Sequence, residues 1–180
     1  MRWFWQFILK IINWRIEGNI PEGLNKYIII VAPHTSNWDF LLGVFVRGAM
    51  GFHSNYLGKD SLFKPPFGFF FKAIGGIPVD RSRHLNMVDQ VVAEVKKRNK
   101  FGLAITPEGT RRKVEKWKTG FYFISWKACI PIIPVQMDWE HRMVRFLDPF
   151  YPSGDLSKDL LIIQSKFINI KGKADLRSGI

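Results

Sequence analysis

The chain has 180 residues, 47% of them hydrophobic, which is enough for one domain with a packed core and too apolar for a disordered chain. A net charge of +12 points to an anionic partner, and the 16 Phe and 7 Trp, many in local clusters, fit an acidic membrane surface better than a nucleic-acid groove. The single cysteine, Cys129, excludes an internal disulfide framework and a multi-cysteine metal site; its apolar surroundings, Trp126 to Pro131, place it in the core.

Residues 1–16 read as an amphipathic helix. Arg2, Gln6, Lys10 and Asn13 form one narrow polar stripe, and Trp3, Phe4, Trp5, Phe7, Ile8, Leu9, Ile11, Ile12 and Trp14 fill the remainder. The segment is shorter than the roughly 20 apolar residues a membrane span needs. It lacks the unbroken apolar stretch and small-residue cleavage site of a signal peptide. Two placements suit it: flat in the headgroup layer with its tryptophans at the water boundary, or packed on the domain's own core. The width of its apolar face favours the membrane interface, and makes this helix the expected main anchor. A turn region with Gly18, Asn19, Pro21 and Gly23 separates it from a single domain over residues 17–180.

Tyr27 to Ala32 is a continuous apolar, β-branched run, as in a buried strand of a parallel sheet. It is followed by Pro33, His34, Thr35, Ser36, Asn37, Trp38 and Asp39, and then by an apolar-rich helix from about Trp38 to Ala49 or Met50, with Gly51 as its stop. His34 and Asp39 thus sit at a strand-to-helix turn, where sites form in open α/β sheets. They read equally well as a general base with its orienting carboxylate or as a loop histidine beside a capping box of Ser36 and Asp39. Residues 53–58 read as a second strand, ending at Lys59. Pro66 opens a short helix whose phenylalanines either join the core or face lipid. Gly75 to Arg81 is a strand ending in Asp80-Arg81, either a surface ion pair or an arginine aimed at an anionic substrate. A helix at residues 84–99 has Leu85, Val88, Val91, Val92 and Val95 on its apolar face. Phe101 to Thr106 is a strand that ends in Pro107-Glu108-Gly109-Thr110-Arg111. A basic cluster of Arg112, Lys113, Lys116 and Lys118 follows, then a helix at about 119–129, strands at 131–136 and 143–147, a closing helix at about 156–169, and a frayed tail from Lys171.

Three polar groups therefore follow apolar strands: His34 with Asp39, Asp80 with Arg81, and Glu108 to Arg111. Gathered at one edge of a parallel sheet, they suit attack by a hydroxyl on an activated acyl group. His34 would take the hydroxyl proton, Asp39 would fix its tautomer, Arg81 and Arg111 would hold a phosphate, and Glu108 would orient another acceptor hydroxyl. The chain has no serine-elbow motif, so an acyl-enzyme is not suggested, and it shows no metal site.

These residues carry a resemblance to the lysophospholipid/glycerophosphate acyltransferase family, which includes the 1-acylglycerol-3-phosphate acyltransferases. Four blocks stand in the family's order over roughly residues 28–136: the H-x-x-x-x-D of His34 and Asp39, the strand from Gly76 to Arg81, the P-E-G-T-R of residues 107–111 followed by Trp117-Lys118-Thr119-Gly120, and the proline-bracketed strand from Ile130 to Val135. Lys59 resembles a basic residue before the second block. Pro33 departs from the asparagine common there. The resemblance implies an α/β fold with a mainly parallel central sheet flanked by helices. It implies His34 and Asp39 as the catalytic pair, and Arg81, Glu108, Gly109, Thr110 and Arg111 near the headgroup phosphate. It also implies acyl-CoA or acyl-carrier protein as the donor and a lysophospholipid as the acceptor, with no bound cofactor and no nucleic acid. The expected setting is the cytoplasmic face of the cell membrane, with peripheral or monotopic attachment to anionic lipid. Transfer to a non-phosphate lipid hydroxyl and non-enzymatic binding of acidic lipid are the alternatives.

Overall fold

The computed structural model describes residues 2–73, 75–79 and 87–175, without the side chains of Lys59, Leu62 and Val79. Asp80, Arg81 and the start of the helix expected at residues 84–99 lie outside the described residues. The chain runs α1 (Arg2–Ile11), β1 (Arg15–Glu17), β2 (Lys26–Ala32), α2 (Trp38–Met50), β3 (Asn55–Lys59), a 3-10 turn (Asp60–Phe63), α3 (Gly68–Ala73), β4 (Gly76–Val79), α4 (Met87–Lys97), β5 (Phe101–Ile105), α5 (Gly120–Ala128), β6 (Ile132–Asp138), β7 (Met143–Phe146) and α6 (Leu156–Ser165).

The seven strands form one sheet in the order β1-β7-β6-β2-β5-β3-β4. β6, β2, β5, β3 and β4 are mutually parallel. β7 is antiparallel to β6, and β1 pairs parallel with β7 at the sheet's edge. The fold is thus α/β with a mainly parallel sheet, as expected. β2 is buried on both faces because its side chains alternate between two cores. Ile28 and Ile30 pack with Val91, Val95, Phe121 and Ile124 of α4 and α5. Tyr27 and Ile29 pack with Leu9, Leu42, Val46 and Ala49 of α1 and α2. From β2 the chain winds outward to β3 and β4, returns to β5, then crosses to β6 on β2's other side. The carboxyl end of β2 therefore lies where the winding reverses, the usual place for a site in such sheets.

Several expectations are corrected. The helix of residues 1–16 stops at Ile11, because Asn13 adopts a left-handed conformation (φ 56°). The Asn13 N–H then bonds the Lys10 carbonyl and the Trp14 N–H the Leu9 carbonyl, a six-residue C-terminal closure. Arg15 to Glu17 become a strand instead of helix and turn. Cys129 is exposed, being the left-handed residue that ends α5 (φ 52°). α6 ends at Ser165, and residues 171–175 are docked against the β2–α2 turn instead of fraying: the Ala174 N–H bonds Thr35 Oγ1 at 3.1 Å, and the Trp139 N–H bonds the Lys171 carbonyl at 3.0 Å.

Candidate active site

The β2–α2 turn holds His34 and Asp39 in contact. His34 Nδ1 lies 3.0 Å from Asp39 Oδ2, with the aspartate side chain 2% exposed and the imidazole 17%. The carboxylate only accepts, so Nδ1 carries the hydrogen and Nε2 is left as the proton acceptor. Asp39 Oδ2 also accepts the backbone N–H groups of Thr35 at 2.9 Å and Ser36 at 2.8 Å. This is the acidic half of the expected capping box. The other half is missing, because Ser36 Oγ accepts from the Trp38 N–H at 3.3 Å and the cap residue is Asn37, which makes no side-chain cap bond. The capping and catalytic readings of Asp39 therefore merge, since one oxygen shapes the turn and holds the imidazole together.

Glu108 approaches from the adjacent strand end, beyond β5. Its Oε2 accepts the His34 backbone N–H at 2.7 Å, so it braces the histidine's main chain, a contact absent from the expectation that it orients an acceptor hydroxyl. Burial raises the Glu108 carboxyl above the usual glutamate range, opposed by the hydrogen bond from the His34 N–H. On the opposite side of β2, just past β6, Trp139 Nε1 donates to Asp39 Oδ1 at 2.8 Å. Sequence reasoning passed over Trp139; the signal was its place one residue beyond a strand that ends at the same sheet edge.

Next to the imidazole lies a cavity of about 360 Å³ lined by His34, Thr106, Gly109, Thr110, Arg111 and Arg112. Gly109 has φ 65°, and a Cβ there would stand 2.8 Å from the Lys118 side chain, so glycine lets this lysine lie across the turn. The structure thus brings together His34, Asp39, Glu108, Gly109, Thr110 and Arg111. Lys59 ends β3 at the same sheet edge, with its side chain undescribed, and Arg81 lies outside the described residues. A larger depression of about 470 Å³ lies under α1, lined by Arg2, Gln6, Leu9, Trp14, Ile16, Gly18, Ala49 and Met50. Its lining holds one cation, Arg2, and no carboxylate or histidine, whereas the smaller cavity is lined by His34. Among the described residues no cluster of His, Cys, Asp and Glu is grouped to hold a metal ion.

A base oriented by a carboxylate, at the carboxyl end of a central parallel strand and beside a cationic cavity, is an arrangement suited to group transfer onto a hydroxyl. The family model "Acyltransferase" matches residues 11–138, and the chain belongs to that family. Among curated proteins it is similar to 1-acyl-sn-glycerol-3-phosphate acyltransferases. That of Haemophilus influenzae is 27% identical over 79% of this chain and 61% of its own length. Those of Saccharomyces cerevisiae and Escherichia coli are 32% and 30% identical, over 66% and 67% of this chain and 40% and 51% of their own lengths. The chain therefore spans about two-fifths to three-fifths of the length of these relatives.

Proposed function

We propose that this protein is a membrane-associated O-acyltransferase that moves a fatty acyl group from acyl-CoA or acyl-carrier protein to the free hydroxyl of 1-acylglycerol 3-phosphate, giving phosphatidic acid. The observation that carries the reading is the His34–Asp39 pair beside a cavity lined by Arg111 and Arg112. His34 Nε2 takes the proton from the acceptor hydroxyl as its oxygen attacks the thioester carbonyl. Asp39 stabilises the imidazolium so formed. Collapse of the tetrahedral intermediate breaks the carbon–sulfur bond, and the imidazolium returns its proton to the leaving thiolate. The product is an ester and a free thiol, with no acyl-enzyme. Arg111 and Arg112 favour a phosphate-bearing acceptor over a neutral lipid, and Arg81 and Lys59 are proposed as further phosphate ligands.

Attachment to the cytoplasmic face of an anionic membrane belongs to the same proposal. α1 packs on α2 through Trp5 and Leu9, while Trp3, Phe4, Phe7 and Ile11 point outward, 71%, 46%, 56% and 66% exposed. Part of the polar stripe faces inward, since Gln6 donates to the Ala49 carbonyl at 3.3 Å and Arg2 lies beside Gly51. The helix thus presents a strongly apolar face outward, each side chain worth ~1.5–3 kcal/mol when buried in lipid. Among the described residues no helix is long and apolar enough to cross a membrane. Transfer of labelled acyl chains from both donor types to a panel of lipid acceptors tests the reading. Preference for 1-acylglycerol 3-phosphate supports it, and preference for neutral or amino-acid lipids contradicts the phosphate assignment.

A further inference from the structure

We infer that Trp139 is a positioning residue for the catalytic pair, fixing the plane of the Asp39 carboxylate and through it the aim of His34. The inference rests on the reading of His34 as the base. Trp139 stands just outside the matched stretch of residues 11–138. The terminal torsion of an aspartate is soft, so a carboxylate held by one oxygen can rotate and carry its partner with it. Asp39 Oδ2 receives His34 Nδ1, the Thr35 N–H and the Ser36 N–H. Oδ1 receives the Trp139 indole N–H at 2.8 Å, which locks the rotation.

The indole is itself fixed from three sides. The Trp14 ring meets it edge to face, with centroids 4.9 Å apart and planes at 82°. The Lys173 ammonium lies 4.6 Å from its centroid and 4.4 Å from that of Trp38, between the two rings. Its backbone N–H bonds the Lys171 carbonyl. The segment carrying Lys173 is seated on the turn, since Ala174 N–H bonds Thr35 Oγ1 and a Cβ on Gly172 would come within 2.5 Å of the Thr35 side chain. The first turn of α2, the β6–β7 turn and residues 171–175 thus converge on one indole whose N–H is directed at the catalytic carboxylate.

Trp139→Phe keeps an aromatic ring at this position and removes the donor. Losing one hydrogen bond to a charged group predicts about a tenfold lower kcat, with KM changed less than about twofold. It also predicts a shift in the acid limb of kcat/KM. A carboxylate relieved of one donor bonds the imidazolium more strongly, so the limb moves to higher pH. The charged groups around the pair keep their identity in this substitution: Glu108 from the β5–α5 turn, Asp175 from the C-terminal segment, and Arg111 and Arg112 in the cavity, while Lys173, which rests on the Trp139 ring, keeps its contact with Trp38. Each variant's pH profile is normalised to itself, so a loss of folded protein cannot produce the shift. An unchanged kcat, or a lower kcat with the limb unmoved, overturns the inference and leaves Trp139 as packing. A second readout needs no turnover. The Trp139 indole N–H resonance, assigned by its disappearance in Trp139→Phe, is expected to move upfield in Asp39→Asn; a resonance unaffected by that change overturns the inference even if no acceptor is found. Absence of acyl transfer by the native protein, with the resonance responding as expected, counts against the proposed activity instead.

Discussion

The imidazole of His34 is steered by contacts on both sides of β2. Glu108 holds its backbone N–H from the β5 side, and Trp139 holds its aspartate partner from the β6 side. The sign of the Glu108 shift gives a stability test. A carboxyl whose folded pKa lies above its unfolded value stabilises the fold below the ordinary glutamate range, and that contribution is lost as pH rises through the folded pKa. Glu108→Gln retains an acceptor for the His34 N–H and removes the titration. In urea unfolding, native protein is expected to lose stability relative to Glu108→Gln as pH rises above the ordinary glutamate range. A difference independent of pH contradicts the assignment. The residues His34 and Glu108 to Arg111 were legible in the sequence because they follow apolar strands, and Asp39 because it opens the helix after the first of them. The partner of Glu108 was not, because its bond to a backbone N–H 74 residues away exists only once β2 and β5 are neighbours.

Among the elements, α1 departs most from the sequence reading. Its polar stripe turns partly inward, since Gln6 bonds the Ala49 carbonyl and Arg2 lies beside Gly51. Helical periodicity shows which residues share a face, and packing on α2 decides where that face points. Removing residues 1–16 would also delete the Trp14 contact with Trp139 and most of β1, so truncation confounds anchoring with the site. The combined change Trp3→Ser, Phe4→Ser and Phe7→Ser is the cleaner variant. In vesicle sedimentation it is expected to lose binding to anionic vesicles with little change in melting temperature, since these side chains are exposed. Retained binding would assign attachment to other apolar or basic surface. A second element-scale test concerns the tie between α5 and α6. Tyr122, 1% exposed, donates to Asp159 Oδ2 at 2.9 Å, and Asp159 also accepts the Ser153 N–H and hydroxyl. Tyr122→Phe takes one donor from a buried carboxylate and is expected to cost about 1–3 kcal/mol in chemical denaturation. A change within error would show that the remaining donors suffice.

At the scale of the whole molecule, the proposed attachment to an acidic membrane would rest on two separable attractions, the net charge of +12 and the outward aromatics of α1. Raising salt from about 0.1 M to about 1 M shortens the Debye length from about 10 Å to about 3 Å. It is expected to weaken binding of native protein to anionic vesicles partially, leaving the apolar component. Complete release by salt would contradict insertion of α1. The succession of strand β2, helix α2 and strand β3, and the parallel setting of β2, were readable from the apolar runs and their spacing, whereas the strand order was not. The edge strand β1 and the docked residues 171–175 were not, because three residues at a sheet edge and a polar terminal segment have no periodicity of their own and are ordered by what they pack against. The proposed role of His34 is that of the base for acyl transfer to a lysophospholipid hydroxyl. It is tested most directly by lipid mass spectrometry of turnover with 1-acylglycerol 3-phosphate and acyl-CoA or acyl-carrier protein, comparing native protein with His34→Ala of the same fold. Phosphatidic acid formed by the native protein, with a rate at least about 10²-fold lower in the variant, is the predicted result; an equal rate in the two would contradict it.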